Sequence, residues 1–198
     1  FRQERQVLAR LEHPHIVRLL DGGSTPDGRP FIVMEYVEGV PLARYCQQHS
    51  LDLRAMLRLF LKVCAAVEYA HRQMIVHRDL KPANLFVAQR GGLYDFVKVL
   101  DFGMVKQFDR KGRNDPSITV GNAMSGTPSY MSPEQIEMAG GDVDTRSDIY
   151  SLGVLLYELL TGATPFPATL FNAGVEQFRR TVLDNDPQLP SNRINSLP

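Results

Sequence analysis

The sequence lacks several features that would point to particular classes of protein. It has only two cysteines, Cys46 and Cys64, and they do not have the C-x-x-C spacing of metal or redox sites. We therefore interpret them as ordinary core or surface thiols of a reducing compartment. Its 22 basic residues balance its 22 acidic residues. This zero net charge argues against nucleic acid or an acidic membrane as the main partner.

Long apolar runs are also missing. No stretch of the sequence is long and apolar enough to be a membrane span, and there is no signal peptide, internal repeat or second domain. We expect no membrane contact within this segment and a cytoplasmic location, which leaves open a membrane span elsewhere in the parent protein. Because the sequence begins with Phe1 rather than Met, we interpret it as an excerpt from a longer chain.

The chain is organised around two motifs that follow each other. Residues 77 to 84 fit the pattern H-R-D-x-x-x-x-N, and Asp101, Phe102 and Gly103 form D-F-G behind a strand-like, β-branched run. These are the catalytic-loop and metal-loop motifs of protein kinases. The chain therefore resembles the eukaryotic-type Ser/Thr protein kinases, and its H-R-D-L-K-P-A-N and M-S-P-E-Q stretches resemble the bacterial members.

The resemblance, together with the chemistry of phosphoryl transfer, implies roles for four residues of these motifs. Asp79 would accept the proton of the substrate hydroxyl, and Lys81 would point towards the transferred phosphate. Asn84 and Asp101 would bind Mg²⁺, a cation that prefers oxygen ligands. The alternative is a polar turn between two strands, with Asp79 and Asn84 as turn formers. The joint match of two motifs argues against that alternative.

The resemblance also implies a nucleotide site. Residues 34 to 37 resemble the hinge, with Met34 as the gatekeeper and with Glu35 and Val37 at the adenine edge. Phe86 takes the position of the apolar floor under adenine, where leucine is commoner. Glu4 corresponds to the helix glutamate that pairs with a strand lysine. Without the resemblance, the hinge stretch would fit an edge strand equally well, and Glu4 would fit a solvated helix charge better than a functional role.

The segment after D-F-G corresponds to the activation segment. It closes on residues 126 to 134, which resemble G-T-x-x-Y-x-x-P-E with Ser132 in place of alanine. By the resemblance, Thr127 would form hydrogen bonds around the catalytic aspartate and lysine. Glu134 would pair with an arginine beyond Pro198, so we expect Glu134 to be unpaired in this chain.

A regulatory contact is implied at the arginine of the catalytic loop. In kinases of this type, the residue corresponding to Arg78 commonly meets a phosphate on the activation segment. The middle of that segment is polar and glycine-rich, a composition that favours mobility. It offers Thr119 as the first candidate for phosphorylation, and Ser117 and Ser125 as further ones. The alternative is that all three are merely solvated loop residues.

Hydrophobic periodicity predicts the secondary structure around these motifs. We expect a helix over 1–11, strands over 17–20 and 31–34 joined by a turn over 21–30, helices over 41–49 and 53–72, a hairpin of strands 85–87 and 97–100, a helix over 148–160 and a helical segment over 171–183. Asp52 would cap helix 53–72. Helix 148–160 resembles the central buried helix of the kinase large lobe, and by that resemblance Asp148 would tie the backbone of the catalytic loop to this helix. The alternative for Asp148 is a charge at a helix N-terminus. The predicted apolar positions of helix 53–72 are Leu57, Phe60, Leu61, Cys64, Val67 and Ala70.

The resemblance implies an α+β, protein-kinase-like fold with two lobes. Residues 1–37 would be helix C, the following strands and the hinge, which are the remainder of the small lobe. Residues 38–198 would be most of a mainly helical large lobe, truncated at its C-terminal end. The sequence contains no G-x-G-x-x-G loop and no V-A-I-K strand. We expect both parts upstream, and we expect the isolated chain to be inactive.

We therefore predict a protein serine/threonine kinase that transfers the γ-phosphate of Mg-ATP to hydroxyls of protein substrates, with Mn²⁺ as an alternative metal and a homodimer for autophosphorylation. One rival interpretation is a catalytically inactive pseudokinase or scaffold. It predicts erosion of Asp79, Asn84 or Asp101, and none is eroded. A second rival is a small-molecule phosphotransferase of related fold. The G-T-P-S-Y-M-S-P-E block argues against it, because that block shapes a peptide-binding ledge in kinases.

Overall fold

A computed structural model describes residues 11–90, 93–102, 128–136, 143–167, 169–172 and 174–195. The chain divides into two compact units, which are treated separately below. The first unit runs to His77 and resumes from Pro82 to Phe102. The second contains Arg78–Lys81 and the chain from Gly103 onwards. The predicted helix over 1–11 lies outside the described residues, apart from Leu11.

The first unit begins with a two-stranded antiparallel sheet. Strand β1 spans Leu19–Ser24 and pairs with β2, Pro30–Met34, so that Gly23 lies opposite Phe31. The predicted turn over 21–30 is therefore too long. The turn closes within residues 25–29, where the Thr25 N–H donates to the Arg29 carbonyl at 2.8 Å. Cross-strand pairing extends β1 through Gly22 and Gly23, although glycine disfavours strands.

A three-stranded antiparallel sheet follows in the order β3-β4-β5. Its strands are β3 (Gly39–Pro41), β4 (Leu85–Arg90) and β5 (Leu93–Val99). The predicted hairpin is confirmed, with Leu85 opposite Val99, but both strands are longer than predicted. The parallel bridge from Ile16 to Val99 connects the segment before β1 to β5. Strand β3 was not predicted.

Two α-helices complete the described part of the first unit. Helix α1 spans Leu42–Gln48 and α2 spans Leu53–Arg72, close to the predicted bounds. Asp52 caps α2 as predicted, since its carboxylate accepts from the Ala55 N–H at 2.7 Å. Helix α2 packs against β5. Its buried residues are Leu59, Phe60, Val63, Ala66, Val67 and Ala70.

The predicted apolar face of α2 is partly wrong. Leu61 is 64% exposed, and Leu57 and Cys64 are only half-buried. The helical spacing of the apolar residues is predicted correctly, but the buried face of α2 is rotated towards Leu59 and Val63. The position of β5 determines which face of the helix is buried. Apolar side chains at the edge of the helical stripe are left in solvent, as is common on protein surfaces.

The second unit is helical in its described part. A 3₁₀ turn, Pro128–Tyr130, leads to α3, Pro133–Ile136, and then to α4, Thr145–Thr161. Helix α4 starts earlier than predicted because the Asp144 carboxylate accepts from the Arg146 N–H at 2.8 Å. It ends at Gly162 as predicted, with the left-handed φ of 75° that glycine tolerates best.

Three short helices follow α4: α5 (Thr169–Asn172), α6 (Val175–Asp184) and α7 (Pro190–Asn195). The helical segment predicted over 171–183 is therefore largely confirmed, but it is divided between α5 and α6. Gly174, with φ 117°, separates α5 from α6, because that backbone conformation cannot continue a helix. Helix α7 was not predicted. The apolar centre of this part is formed by Ile136, Phe166, Phe178 and Val182.

Among the helices of the described residues, none combines the length and the apolar character that a membrane crossing requires.

Candidate active site

The segment Arg78–Lys81, which carries the arginine and aspartate of H-R-D, belongs to the second unit and is held through its backbone. The Arg78 N–H donates to the Asp148 carboxylate at 2.8 Å, which confirms the predicted tie between this loop and α4. The Arg78 carbonyl accepts from Gln135 Nε2, also at 2.8 Å. Arg78 has a left-handed φ of 69°, which is unfavourable for any residue with a Cβ. The two hydrogen bonds therefore stabilise a strained peptide immediately before Asp79.

Asp79 and Lys81 lie side by side in the same segment. The Lys81 ammonium is 2.8 Å from the Asp79 carboxylate, and their side chains are 20% and 32% exposed. Both groups are thus accessible to a ligand while holding each other in place. The structure brings these two predicted site residues together.

The predicted metal ligands Asn84 and Asp101 belong to the first unit, on either side of the β4–β5 hairpin. Leu100, next to Asp101, donates its N–H to the Asn84 carbonyl at 2.8 Å. Asn84 is 6% exposed, and Asp101 has a left-handed φ of 57°. The backbone therefore brings Asn84 close to the residue that precedes Asp101.

Next to Asp101, the ring of His77 fixes the turn at the end of β5. A His77 ring nitrogen lies 2.8 Å from the Leu100 carbonyl, and the ring packs against Phe102 with centroids 4.6 Å apart. His77 is fully buried. These contacts hold the residues on both sides of Asp101, which explains how a non-glycine residue keeps a left-handed conformation there.

Cation-binding chemistry at the hairpin would have to use few protein ligands. Within the described ranges, no group of three or more His, Cys, Asp or Glu side chains could hold a metal ion. Asn84 and Asp101 supply an amide and a carboxylate oxygen, which suit a hard cation. Mg²⁺ usually keeps several waters and is bound by one or two carboxylates together with substrate phosphates. The donor set is therefore compatible with Mg²⁺ that arrives with a nucleotide.

The predicted hinge begins where β2 ends at Met34, which is half-buried. The Glu35 N–H donates to the Arg18 carbonyl at 3.0 Å, and the Arg18 N–H donates back to the Glu35 carboxylate at 3.1 Å. Val37 follows in an extended, irregular stretch. Phe86, half-buried in β4, lies opposite Pro41 of β3 and Lys98 of β5 in the sheet register.

The sequence analysis missed the partner of Glu35. The Lys98 ammonium forms an ion pair with the Glu35 carboxylate and also donates to the Ile16 carbonyl at 3.1 Å. Lys98 is only 4% exposed. A lysine inside the otherwise apolar run of β5 was the signal that could have identified it, because lysine is almost never fully buried unless it is paired.

The expectation that Glu134 is unpaired in this chain is wrong. Its carboxylate accepts a hydrogen bond from the Ser147 hydroxyl near the start of α4. Burial raises the pKa of Glu134, but the Ser147 hydrogen bond, local hydrogen bonds at Glu134 and Ser132, and the Arg146 charge outweigh it, so the net pKa is lowered. Glu134 thus has a hydrogen-bond partner within the same unit.

Five predicted residues lie outside the described residues. They are Glu4, Ser117, Thr119, Ser125 and Thr127.

Comparison with known proteins identifies the family. The model of the protein kinase domain matches residues 1–196. The chain therefore belongs to the protein kinase domain family, and the predicted resemblance to bacterial kinases of the eukaryotic type is confirmed by its relatives. It is 42% identical over 167 residues to the serine/threonine-protein kinase pkn3 of Myxococcus xanthus, covering 84% of this chain and 30% of the relative.

A second relative gives the same result. The chain is 42% identical over 170 residues to the serine/threonine-protein kinase PknB of Mycolicibacterium smegmatis, covering 84% of this chain and 26% of PknB. The chain spans less than a third of the length of these curated relatives.

Solved structures agree on the fold. The Mycobacterium tuberculosis PknI kinase domain is 28% identical and has a TM-score of 0.68, covering 100% of this chain and 64% of that one. A structure of a point mutant of the same kinase domain is 31% identical with a TM-score of 0.63, covering 85% of this chain and 58% of that one. The predicted α+β fold of the protein-kinase type is therefore confirmed.

Proposed function

We propose that the protein containing this chain is a protein serine/threonine kinase that transfers the γ-phosphate of Mg-ATP to Ser or Thr hydroxyls of protein substrates. The observation that carries the proposal is the intact H-R-D segment. Its backbone is held at Arg78 by Asp148 and Gln135, and its Asp79 carboxylate lies 2.8 Å from the Lys81 ammonium. A fold that had lost catalysis would have no need to keep this strained segment and its charged pair.

In this proposal Asp79 is the base. Its carboxylate accepts the proton of the substrate hydroxyl as the oxygen attacks the γ-phosphorus. Lys81 neutralises charge that develops on the transferred phosphoryl group. Thr127 is the proposed hydrogen-bond partner of these two side chains. The ion pair between Asp79 and Lys81 supports these roles, because it pre-orients both groups before a substrate is bound.

Asn84 and Asp101 are the proposed ligands of Mg²⁺, or of Mn²⁺ in its place. The metal supplies charge neutralisation at the phosphate oxygens when it is bound. Two observations support Asn84 and Asp101 as ligands of this metal. Both side chains offer oxygen donors, and the hydrogen bond from the Leu100 N–H to the Asn84 carbonyl brings the two ends of the hairpin together. The contacts of His77 with Leu100 and Phe102 hold the backbone on both sides of Asp101.

The adenine of ATP is proposed to lie against the stretch after β2. Backbone groups of Glu35 and Val37 bind its edge, Met34 closes the back of the pocket and Phe86 forms the floor. The side chain of Glu35 is engaged with Lys98 and with the Arg18 N–H, and its own N–H donates to the Arg18 carbonyl, so the contact of Glu35 with adenine is proposed to use its carbonyl. Glu4 is proposed to pair with a lysine that binds the α- and β-phosphates.

Regulation is proposed to use phosphorylation of the activation segment, with Thr119 first and with Ser117 and Ser125 as further acceptors. A phosphate there carries close to two negative charges and can form charge-assisted bonds with Arg78. Two copies of the domain associate for this autophosphorylation.

The domain is proposed to work in the cytoplasm. The free state of Cys46 and Cys64 supports a reducing compartment.

The test uses the full-length protein with γ-labelled ATP, Mg²⁺ and a mixture of proteins, followed by phosphoamino-acid analysis. Label on serine or threonine of a protein supports the proposal. ATP binding without any transfer would instead identify a pseudokinase or scaffold. Label found only on small molecules would identify a phosphotransferase of related fold and would contradict the proposal.

A further inference from the structure

The side chain of Gln135 meets the backbone of the catalytic loop. Its Nε2 donates to the Arg78 carbonyl at 2.8 Å, across 57 positions of sequence, and its Oε1 accepts from the Ser132 N–H at 3.1 Å. Both polar ends of one amide are thus used, each on a backbone group. A glutamine with its two ends fixed cannot rotate without breaking one of these hydrogen bonds.

Gln135 is itself held in a well-packed part of the second unit. It lies in α3, where the neighbouring Ile136 is buried in the apolar centre with Phe166 and Phe178. Ser132, which donates to Gln135, is completely buried. The amide therefore acts from a fixed position.

The segment before α3 is tied to α4 by two further hydrogen bonds. The Tyr130 hydroxyl donates to the Glu158 carboxylate at 2.6 Å, and the Ser151 hydroxyl donates to the Tyr130 carbonyl at 2.8 Å. Helix α4 also carries Asp148. One helix therefore supports both groups that hold Arg78.

The two bonds at Arg78 act on different peptide planes. Asp148 accepts from the Arg78 N–H, which belongs to the peptide entering Arg78. Gln135 donates to the Arg78 carbonyl, which belongs to the peptide that leads into Asp79. Only the second bond fixes the direction in which the chain reaches Asp79. Because φ of Arg78 is 69°, this peptide would relax towards a commoner conformation if it were released.

We propose that Gln135 is a positioning residue for phosphoryl transfer, which fixes the peptide between Arg78 and Asp79 and thereby the reach of the Asp79 carboxylate. The inference rests on the proposed function, since it assumes that Asp79 is the base. Gln135 does not touch substrate in this role. It acts through the backbone, so its loss lowers the rate of the chemical step and leaves the binding of ATP unchanged.

The experiment compares Gln135→Met and Gln135→Glu in the full-length protein by rapid-quench kinetics. Methionine removes both hydrogen bonds at nearly constant volume. Glutamate keeps an acceptor for the Ser132 N–H but replaces the donor by an oxygen that faces the Arg78 carbonyl. Gln177→Met, at an exposed position of α6, is the matched control. Displacements of about 1 Å can cost on the order of a hundredfold in rate.

We expect the single-turnover rate constant of phosphoryl transfer, measured with the enzyme in excess over ATP, to fall by about tenfold to a hundredfold in both Gln135 variants, and not in Gln177→Met. The fraction of molecules that bind ATP and the Kd of ATP should stay within about twofold of the wild type, since the proposed role leaves folding and nucleotide binding intact. A reduced ATP-binding fraction with an unchanged rate constant would show a merely structural role and overturn the inference.

Two other outcomes separate the inference from the function on which it rests. A wild-type single-turnover rate constant in Gln135→Glu would show that only the Ser132 contact matters, and the inference would fail while the kinase activity stood. A wild-type protein that transfers no phosphate, or an Asp79→Asn variant that transfers it normally, would overturn the proposed function and the inference with it.

Discussion

Lys98 and Glu35 form a largely buried ion pair that joins β5 to the residue following β2. The Lys98 side chain is 5% exposed and the Glu35 side chain 24% exposed. The Lys98 ammonium also donates to the Ile16 carbonyl, and the Glu35 carboxylate also accepts from the Arg18 N–H. The pair thus fixes three separate stretches of the first unit at the start of the proposed hinge.

Removing either partner should have unequal effects on stability. Glu35→Leu leaves the Lys98 ammonium buried without its counter-ion, which typically costs about 3 kcal/mol or more in the free energy of unfolding. Lys98→Met keeps the apolar stem and leaves behind a carboxylate that can reach solvent, so its cost should be clearly smaller. Urea unfolding of both variants measures the difference.

The double variant tests whether an unpaired buried charge causes the loss of stability in Glu35→Leu. If the cost comes from an uncompensated charge, Glu35→Leu combined with Lys98→Met should be more stable than Glu35→Leu alone. Equal losses in the two single variants, or strictly additive losses in the double one, would show that packing rather than charge pairing dominates.

The elements that the sequence predicted well are those with local causes. The bounds of α2 follow from the Asp52 cap and a helical apolar period, both contained within the segment. The tie from Asp148 to the catalytic loop followed from a family motif. The buried face of α2 was misplaced at Leu61 because the packing surface belongs to β5, which is distant in sequence.

The contacts that the sequence did not predict join residues far apart in the chain. Lys98 and Glu35 are 63 positions apart, and Gln135 and Arg78 are 57 apart. Each residue alone fits an ordinary role, such as a strand lysine or a helix glutamine. Only the folded chain brings the pairs together, since hydrophobic period and turn composition carry no information about which polar side chains meet.

Asp79 is expected to be needed for the chemical step and not for ATP binding. Asp79→Asn keeps the shape of the side chain but removes the base, so kcat should fall by about 10²-fold or more while the variant still binds ATP. Asp101→Ala should abolish productive Mg-ATP binding as well. Asp186→Asn, at an exposed position, is the matched control. Wild-type turnover in Asp79→Asn would disprove the assignment of the base.

Arg78 and Thr119 are expected to act as one unit in regulation. If phosphate on Thr119 binds Arg78, then Thr119→Ala and Arg78→Ala should each lower activity by about tenfold, and the double variant should lose no more. Mass spectrometry of the full-length protein after incubation with Mg-ATP detects the phosphate. Ser191→Ala, at an exposed serine of α7, is the control. Full activity with an unmodified segment would rule out the switch.

Two histidines before β1 form a cluster that should make stability depend on pH. His13 stacks on Tyr69 of α2 with ring centroids 5.2 Å apart, and its Nδ1 accepts from the His15 N–H at 3.2 Å. His15 Nδ1 donates to the Val97 carbonyl at 2.9 Å. Burial, followed by the charge of the neighbouring histidine, lowers the pKa of His13, and burial lowers the pKa of His15, with nearby Lys98 contributing to both.

The folded state therefore holds both rings neutral at a pH where the unfolded chain already binds protons. Since the unfolded state binds more protons below its ordinary histidine pKa of about 6.5, stability should fall as the pH drops from there towards the lowered folded-state values. Urea unfolding at pH 7.5 and pH 5.5 measures the loss.

The double variant His13→Asn, His15→Asn retains an acceptor and a donor near the Nδ1 positions but cannot titrate, so this variant should lose less stability than the wild type over the same interval. His49→Asn, at an exposed position after α1, should leave the loss as it is in the wild type. An unchanged loss in the double variant would mean that the acid sensitivity arises elsewhere in the protein.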